Sequence, residues 1–150
     1  MKRDVVETSA DWQDDGHAWC LVGMAGASGK IYAIVDFQQP GTKATIMARD
    51  AVGTPEAIAK ANAVAAPGCD GLPWNTTDHR PPVGTLALTE VGGKFYVATR
   101  EDELFVGDPT KPDVKWQQIG DAPGVTVLAG SDGKLFAATK SGKLLMGEVK

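Results

Sequence analysis

The chain has 150 residues, a formal net charge of −4 and a hydrophobic content of 43%, as expected for one ordinary globular domain. Its acidic balance and scattered Lys and Arg residues exclude nucleic acid as the main partner, because phosphate binding needs clustered positive charge. No run approaches the roughly 18 consecutive apolar residues that predict a membrane span, so no membrane partner is expected.

The N-terminal stretch, residues 1–16, has two basic residues but no apolar segment behind them, unlike a secretory signal. A cytoplasmic location is therefore the expectation, with secretion as the alternative if a leader precedes the sequence. Cys20 and Cys69 are too few for a disulfide framework and are interpreted as free, buried thiols.

A motif near the C-terminus recurs twice upstream. Residues 12–33 align with residues 116–137 without a gap, at an offset of 104, so that Trp12 falls on Trp116. The middle copy starts at Trp74 with a lead-in two residues longer, and its residues 93–99 align with residues 133–139 at an offset of 40. Each copy has a Trp, a Gly turn and a Gly-Lys strand in the same order. Repeats of about 40 residues are typical of solenoids and propellers.

The repeated strand distinguishes these two architectures. Residues 31–35, 95–99 and 135–139 are continuous runs of β-branched, aromatic or small residues, which are typical of strands buried on both faces. The second and third copies lack the three- and four-residue spacing of helical repeats. The sequence therefore predicts an all-β fold of three four-stranded, propeller-like blades in a single domain, residues 1–150.

The predicted strands follow one another within each copy. The repeats occupy about residues 12–50, 74–109 and 116–149. First strands are expected at 19–25, 85–90 and 125–129, second strands at the three Gly-Lys segments, and third strands at 44–49, 103–106 and 143–147. The fourth, outermost strand is predicted to carry the Trp of the next copy, as in residues 113–116.

The first copy departs from the others by an insertion at residues 51–72. Residues 54–66 are predicted to form a short helix, with Thr54 as N-cap and Pro67-Gly68 at its end. This helix is interpreted as a cap over one end of the sheets, and a lid or an interface element is the alternative.

The last copy ends before a fourth strand, and residues 4–12 are predicted to supply it. Three blades fall below the four to eight that typically close a ring. A two-fold homodimer, in which each N-terminal strand completes the last blade of the other chain, would close a six-bladed ring. The alternatives are part of a longer propeller and a compact three-sheet monomer.

The stretch from 116 to 149 resembles the repeats of tectonin and tachylectin-like lectin propellers. It shares Trp-x-x-Ile-Gly at 116–120, Gly-x-Leu-aromatic-Ala at 133–137 and Gly-x-Leu at 142–144. Residues 133–145 are also similar to quinoprotein-type propeller repeats, in which the last strand normally ends in Trp, whereas Met146 stands near that place here. The lectin resemblance implies sugar binding in pockets between blades.

The repeated Trp position provides the candidate binding residues. In the structural interpretation, each indole packs between neighbouring sheets. In the functional interpretation, an exposed indole stacks on a sugar ring while the polar residue after it binds the hydroxyls. The candidate ligand-binding residues are Trp12, Gln13, Trp74, Asn75, Trp116 and Gln117.

Residue types for catalysis or metal binding are scarce. His17 and His79 lie outside any recognisable nucleophile motif, so no catalytic residue is predicted. Together with Cys20 and Cys69 they are zinc-ligand types, but no paired spacing repeats, and the loop carboxylates lack a calcium pattern. Neither a metal nor a cofactor is therefore predicted.

The leading expectation is a non-enzymatic binding module for small glycans. A protein–protein scaffold that uses the blade rims and the inserted helix is the alternative. An enzyme with a site in the central channel is the third expectation.

Overall fold

The computed structural model describes residues 21–36, 43–51, 75–77, 79–111 and 113–149. These residues form three antiparallel sheets and no helix, so they include no helix that could span a membrane. The all-β expectation is confirmed. The predicted helix at 54–66 and the predicted strand at 4–12 lie outside the described residues.

Each sheet is a meander whose strands lie side by side in chain order. Blade 1 comprises β1 (Leu21–Ala27), β2 (Lys30–Val35), β3 (Thr45–Asp50) and β4 (Asn75–Thr76). Blade 2 comprises β5 (Thr85–Val91), β6 (Lys94–Thr99), β7 (Glu103–Gly107) and β8 (Gln117–Asp121). Blade 3 comprises β9 (Val125–Ser131), β10 (Lys134–Thr139) and β11 (Leu144–Glu148).

Tight hairpins join the first two strands of every blade, as the repeated turn residues predict. In blade 3 the turn consists of Asp132 and Gly133, with φ angles of 49° and 71°. Two successive positive φ angles match the right-handed twist of the flanking strands, and Asp-Gly adopts them readily. The turn fixes the register in which Ser131 pairs with Lys134.

The outermost strand of blade 2 lies later in the chain than residues 113–116, where the sequence predicts it. Strand β8 begins after Trp116, with Gln117 paired opposite Val106. Trp116 is excluded from the pairing because its indole packs over Gly107 and its Nε1 donates to the Arg80 carbonyl at 2.5 Å. The Trp therefore precedes the fourth strand instead of lying within it.

Blade 2 packs between blades 1 and 3. Successive residues of a strand point to opposite faces of its sheet. Accordingly, Phe95 and Val97 lie in the core shared with blade 1, whereas Tyr96 and Ala98 lie in the core shared with blade 3. All four are at most 3% exposed, which confirms burial on both faces for β6.

Blade 3 differs, because the described residues cover only the face that packs against blade 2. Leu128 and Leu135 pack toward blade 2, but Phe136 in the same middle strand is 39% exposed. Every residue of β11 is exposed. The two-sided burial that the sequence predicts for residues 135–139 is therefore not found within the described part of the chain.

Candidate functional site

Two basic residues occupy equivalent positions in blades 2 and 3. Arg100 directly follows β6, and Lys140 directly follows β10, 40 residues later. The Arg100 N–H donates to the Gly84 carbonyl at 2.8 Å, and the Lys140 N–H donates to the Gly124 carbonyl at 2.9 Å. The same backbone hydrogen bond thus holds each residue at the same end of its sheet.

A cavity of about 310 Å³ lies between blades 2 and 3 at this end, and we call it the inter-blade pocket. Arg100 and Lys140 are its exposed cationic lining, and Leu86 and the buried Val125 provide apolar surface. Thr126 adds a hydroxyl, which donates to the Ala138 carbonyl at 3.4 Å. The pocket combines an apolar surface with two positive charges.

Asp102 is the single acidic residue among the described residues that line the inter-blade pocket. Its Oδ1 accepts from the Gly124 N–H at 2.8 Å, and its carbonyl accepts from the Ala122 N–H at 2.5 Å. These bonds connect the β6–β7 turn of blade 2 to the segment that leads into blade 3. Asp102 therefore holds one wall of the pocket in place.

Replacement of Asp102 by alanine is expected to lower the free energy of unfolding by about 1–2 kcal/mol, because the carboxylate that accepts from the Gly124 N–H is lost. Its φ of 61° also favours Asp or Asn over Ala. Asp102→Asn keeps an acceptor oxygen and should remain near wild type. Urea denaturation of both variants measures the difference, and equal stabilities would contradict this assignment.

A second cavity, of about 520 Å³, lies between the outer strands of the same two blades, and we call it the outer groove. Tyr96, Ile119 and Leu135 contribute to its walls, and Lys94 and Glu148 add opposite charges. Burial raises the pKa of the Tyr96 phenol above its ordinary value. The groove continues into a smaller cavity that shares Leu104, Leu135 and Gly147 with it.

The structure does not bring the described candidate residues from the sequence together. Trp116 is half-buried in the core between blades 1 and 2, whereas the exposed Gln117 lines the outer groove on the other side of blade 2. Asn75 is exposed in β4, where it pairs with Ala48. Trp12, Gln13 and Trp74 lie outside the described residues. For Trp116, the packing supports the structural interpretation of the repeated Trp.

Histidine, cysteine and acidic residues form no metal-binding group of three or more within the described ranges. His79 is 9% exposed, and its backbone N–H donates to the Thr77 hydroxyl at 3.2 Å. His17, Cys20 and Cys69 lie outside those ranges.

The sequence did not single out Arg100 or Lys140. A signal was present, since each follows the last Thr of a repeated strand at the offset of 40 that aligns the two copies. Isolated basic residues after a strand resemble solvated turn residues, however, and only the packing of two blades places them around one cavity.

Three stacked antiparallel meanders define a propeller-like all-β fold. The chain is similar to the PQQ-bound aldose sugar dehydrogenase from Streptomyces coelicolor, with 18% identity and a TM-score of 0.53 over 87% of this chain and 43% of that one. The likeness shows the fold alone, and this chain spans less than half of the dehydrogenase's length. No family model matches the chain, and no curated protein matches it.

Two further structures are more distant. The computationally designed Ika4 protein has 11% identity and a TM-score of 0.40, over 91% of this chain and 95% of that one. PorZ, an essential surface component of the type-IX secretion system of Porphyromonas gingivalis, has 8% identity and a TM-score of 0.44, over 86% of this chain and 16% of that one.

Proposed function

We propose that the chain is a non-enzymatic binding module that holds a small acidic glycan in the inter-blade pocket. The observation that carries this proposal is the pair Arg100 and Lys140, which bring two positive charges to one cavity from two blades. The resemblance to lectin propellers supports a glycan, and the apolar surface at Leu86 and Val125 suits the C–H face of a sugar ring.

The charges of the pocket favour an acidic sugar over a neutral one. Asp102 opposes the two cations, but one of its oxygens already accepts from Gly124. A ligand carboxylate would therefore meet a net positive lining in a chain whose overall charge is −4. Charge-assisted hydrogen bonds to carboxylates are stronger than neutral ones, which would orient the ligand.

Calorimetric titration with uronic-acid oligosaccharides and their neutral counterparts tests this function. Arg100→Ala and Lys140→Ala are each expected to weaken binding of the acidic sugar by about tenfold or more, as the loss of a charged hydrogen bond implies. Lys115→Ala is the matched control, since Lys115 is exposed and does not line the pocket. Equal binding of neutral and acidic sugars, or no binding of either, would refute the acidic-glycan proposal.

A protein–protein interaction module is the second candidate, and the uncovered face of blade 3 favours it. Val127 is 54% exposed, Leu144 86% and Met146 63%. A contiguous exposed apolar surface of this kind is typical of an interaction site.

We propose that the partner at this surface is a second copy of the chain, in a two-fold homodimer of six blades. Light scattering should then give twice the chain mass of 15.7 kDa, and a monomeric mass would refute the dimer.

A further inference from the structure

Gly107 and Gly147 are equivalent glycines in the third strands of blades 2 and 3. Gly107 is covered: a Cβ atom there would lie 2.5 Å from Val114 Cγ1 and 2.8 Å from Trp116 Cε3. Gly147 is open, because a Cβ atom there would meet nothing within 4 Å. The cover over Gly107 comes from the segment that leads into the fourth strand, and blade 3 has no such strand among the described residues.

The outer groove lies where this cover would be in blade 3. Gly107 pairs with Phe95 on the face toward blade 1, where Trp116 packs. Gly147 pairs with Leu135 on the equivalent face toward blade 2, and both residues line the outer groove. A volume of about 520 Å³ beside Gly147 is ample for an indole. The structure therefore contains the place for a Trp that the described residues do not supply.

The repeat identifies that Trp. At the offset of 104, Trp116 corresponds to Trp12, and β8 corresponds to residues 13–17. We propose that Trp12 of a second copy occupies the outer groove against Gly147, and that residues 13–17 of that copy pair with β11 as the fourth strand of blade 3. This inference rests on the proposed homodimer, and it moves the pairing segment from residues 4–12 to residues 13–17.

The length of the connection favours a second copy over the same chain. Residues 18–20 alone separate this segment from Leu21, and four Cα steps span at most about 14 Å. Blade 3 lies beyond blade 2, so it is roughly 20 Å from blade 1 at the usual sheet spacing of about 10 Å. The same number of residues, 122–124, joins β8 to β9 of the adjacent blade. Residues 13–17 therefore reach a blade that packs directly against blade 1.

The two ends of the stack expose positions that are buried at the inner junctions. Phe136, 39% exposed on blade 3, corresponds to Tyr96, which is 3% exposed against blade 3. Met24, 55% exposed on blade 1, corresponds to Leu88, which is 2% exposed against blade 1. Ala33 on the same side of blade 1 is already buried, so the exposed surface there lies along β1. Blade 3 of one copy thus matches blade 1 of the other, and the two contacts close a two-fold ring.

Sedimentation velocity over a range of concentrations tests the inference on the full chain. Trp12→Ala and Gly147→Val are each expected to weaken dimerisation at least tenfold, because Trp anchors dominate interfaces and valine would fill the place of the indole. Gly120→Val is the control, since Gly120 also lies in a strand with nothing within 4 Å of an added Cβ. Circular dichroism establishes that each variant is folded.

A mixing experiment tests whether the segment that enters the outer groove belongs to the same chain or to a second copy. A dimer of one Trp12→Ala chain and one Gly147→Val chain retains one intact junction, so the mixture should dimerise more strongly than either variant alone. Absence of this rescue would show that Trp12 binds its own chain and would overturn the inference. A wild-type dimer that Trp12→Ala leaves unchanged would overturn the Trp12 assignment alone, whereas a monomeric wild type would overturn the homodimer itself.

Discussion

Replacement of Phe95 by alanine is expected to lower the free energy of unfolding by about 3–5 kcal/mol, the range for a large buried aromatic residue. Phe95 is 0% exposed and lies in the core between blades 1 and 2. Its ring meets Tyr32 of blade 1 edge to face, with centroids 4.8 Å apart and an interplanar angle of 72°. The substitution therefore opens a cavity where two blades join and also removes an aromatic pair.

The matched control for Phe95→Ala is Phe136→Ala, at the middle strand of the next blade. Phe136 is 39% exposed and therefore buries less apolar surface than Phe95, so its truncation in the monomeric chain should cost less, about 1–2 kcal/mol. Urea denaturation at protein concentrations at which light scattering gives the monomeric mass measures both. Equal losses for the two variants would contradict the assignment of the blade 1–blade 2 junction as a main core of the chain.

The repeat allowed the sheets to be predicted from the sequence, because strand order and hairpin turns depend on local residues. Two successive positive-φ positions, such as Asp132-Gly133, define a hairpin whatever surrounds it. The alternation of Phe95 and Tyr96 between two cores likewise follows from a continuous apolar run. Such features recur in each copy and need no knowledge of the neighbouring blade.

The features that were predicted wrongly from the sequence depend on the neighbouring blade. Residues 135–139 have the composition of a strand buried on both faces, yet Phe136 is 39% exposed because none of the three described blades packs on its side of blade 3. The repeat predicts a fourth strand that carries Trp116, whereas β8 begins at Gln117 and the indole of Trp116 covers Gly107. The repeat pattern alone could not show where the fourth strand begins, because its start depends on the face of the sheet against which the Trp116 indole packs.

The two proposed sites are structurally separate, and so are their tests. The described lining of the inter-blade pocket comes from blades 2 and 3 of one chain, at the end where β9 begins. None of these described residues also lines the outer groove. The intrinsic affinity for a glycan should therefore persist in a monomeric Trp12→Ala variant, whereas a dimer would gain apparent affinity for a ligand that presents several sugars.

Gly130→Ala is expected to destabilise the protein by about 1–3 kcal/mol, the usual cost of inserting an extra methyl group where packed atoms leave no room. An added Cβ at Gly130 would overlap Val91 Cγ2 and the Glu90 carbonyl oxygen, and that carbonyl belongs to the backbone of β5. Relief of this overlap would require β5 and β9 to separate, since a backbone carbonyl cannot rotate away as a side chain can.

In the control, Gly120→Ala, an added Cβ meets nothing within 4 Å. Reduced freedom of its unfolded chain should leave the control unchanged or more stable by up to about 1 kcal/mol. Thermal and urea denaturation of the two variants measure the difference. A Gly130→Ala protein as stable as the control would show that β5 and β9 do not lie in close contact at Gly130.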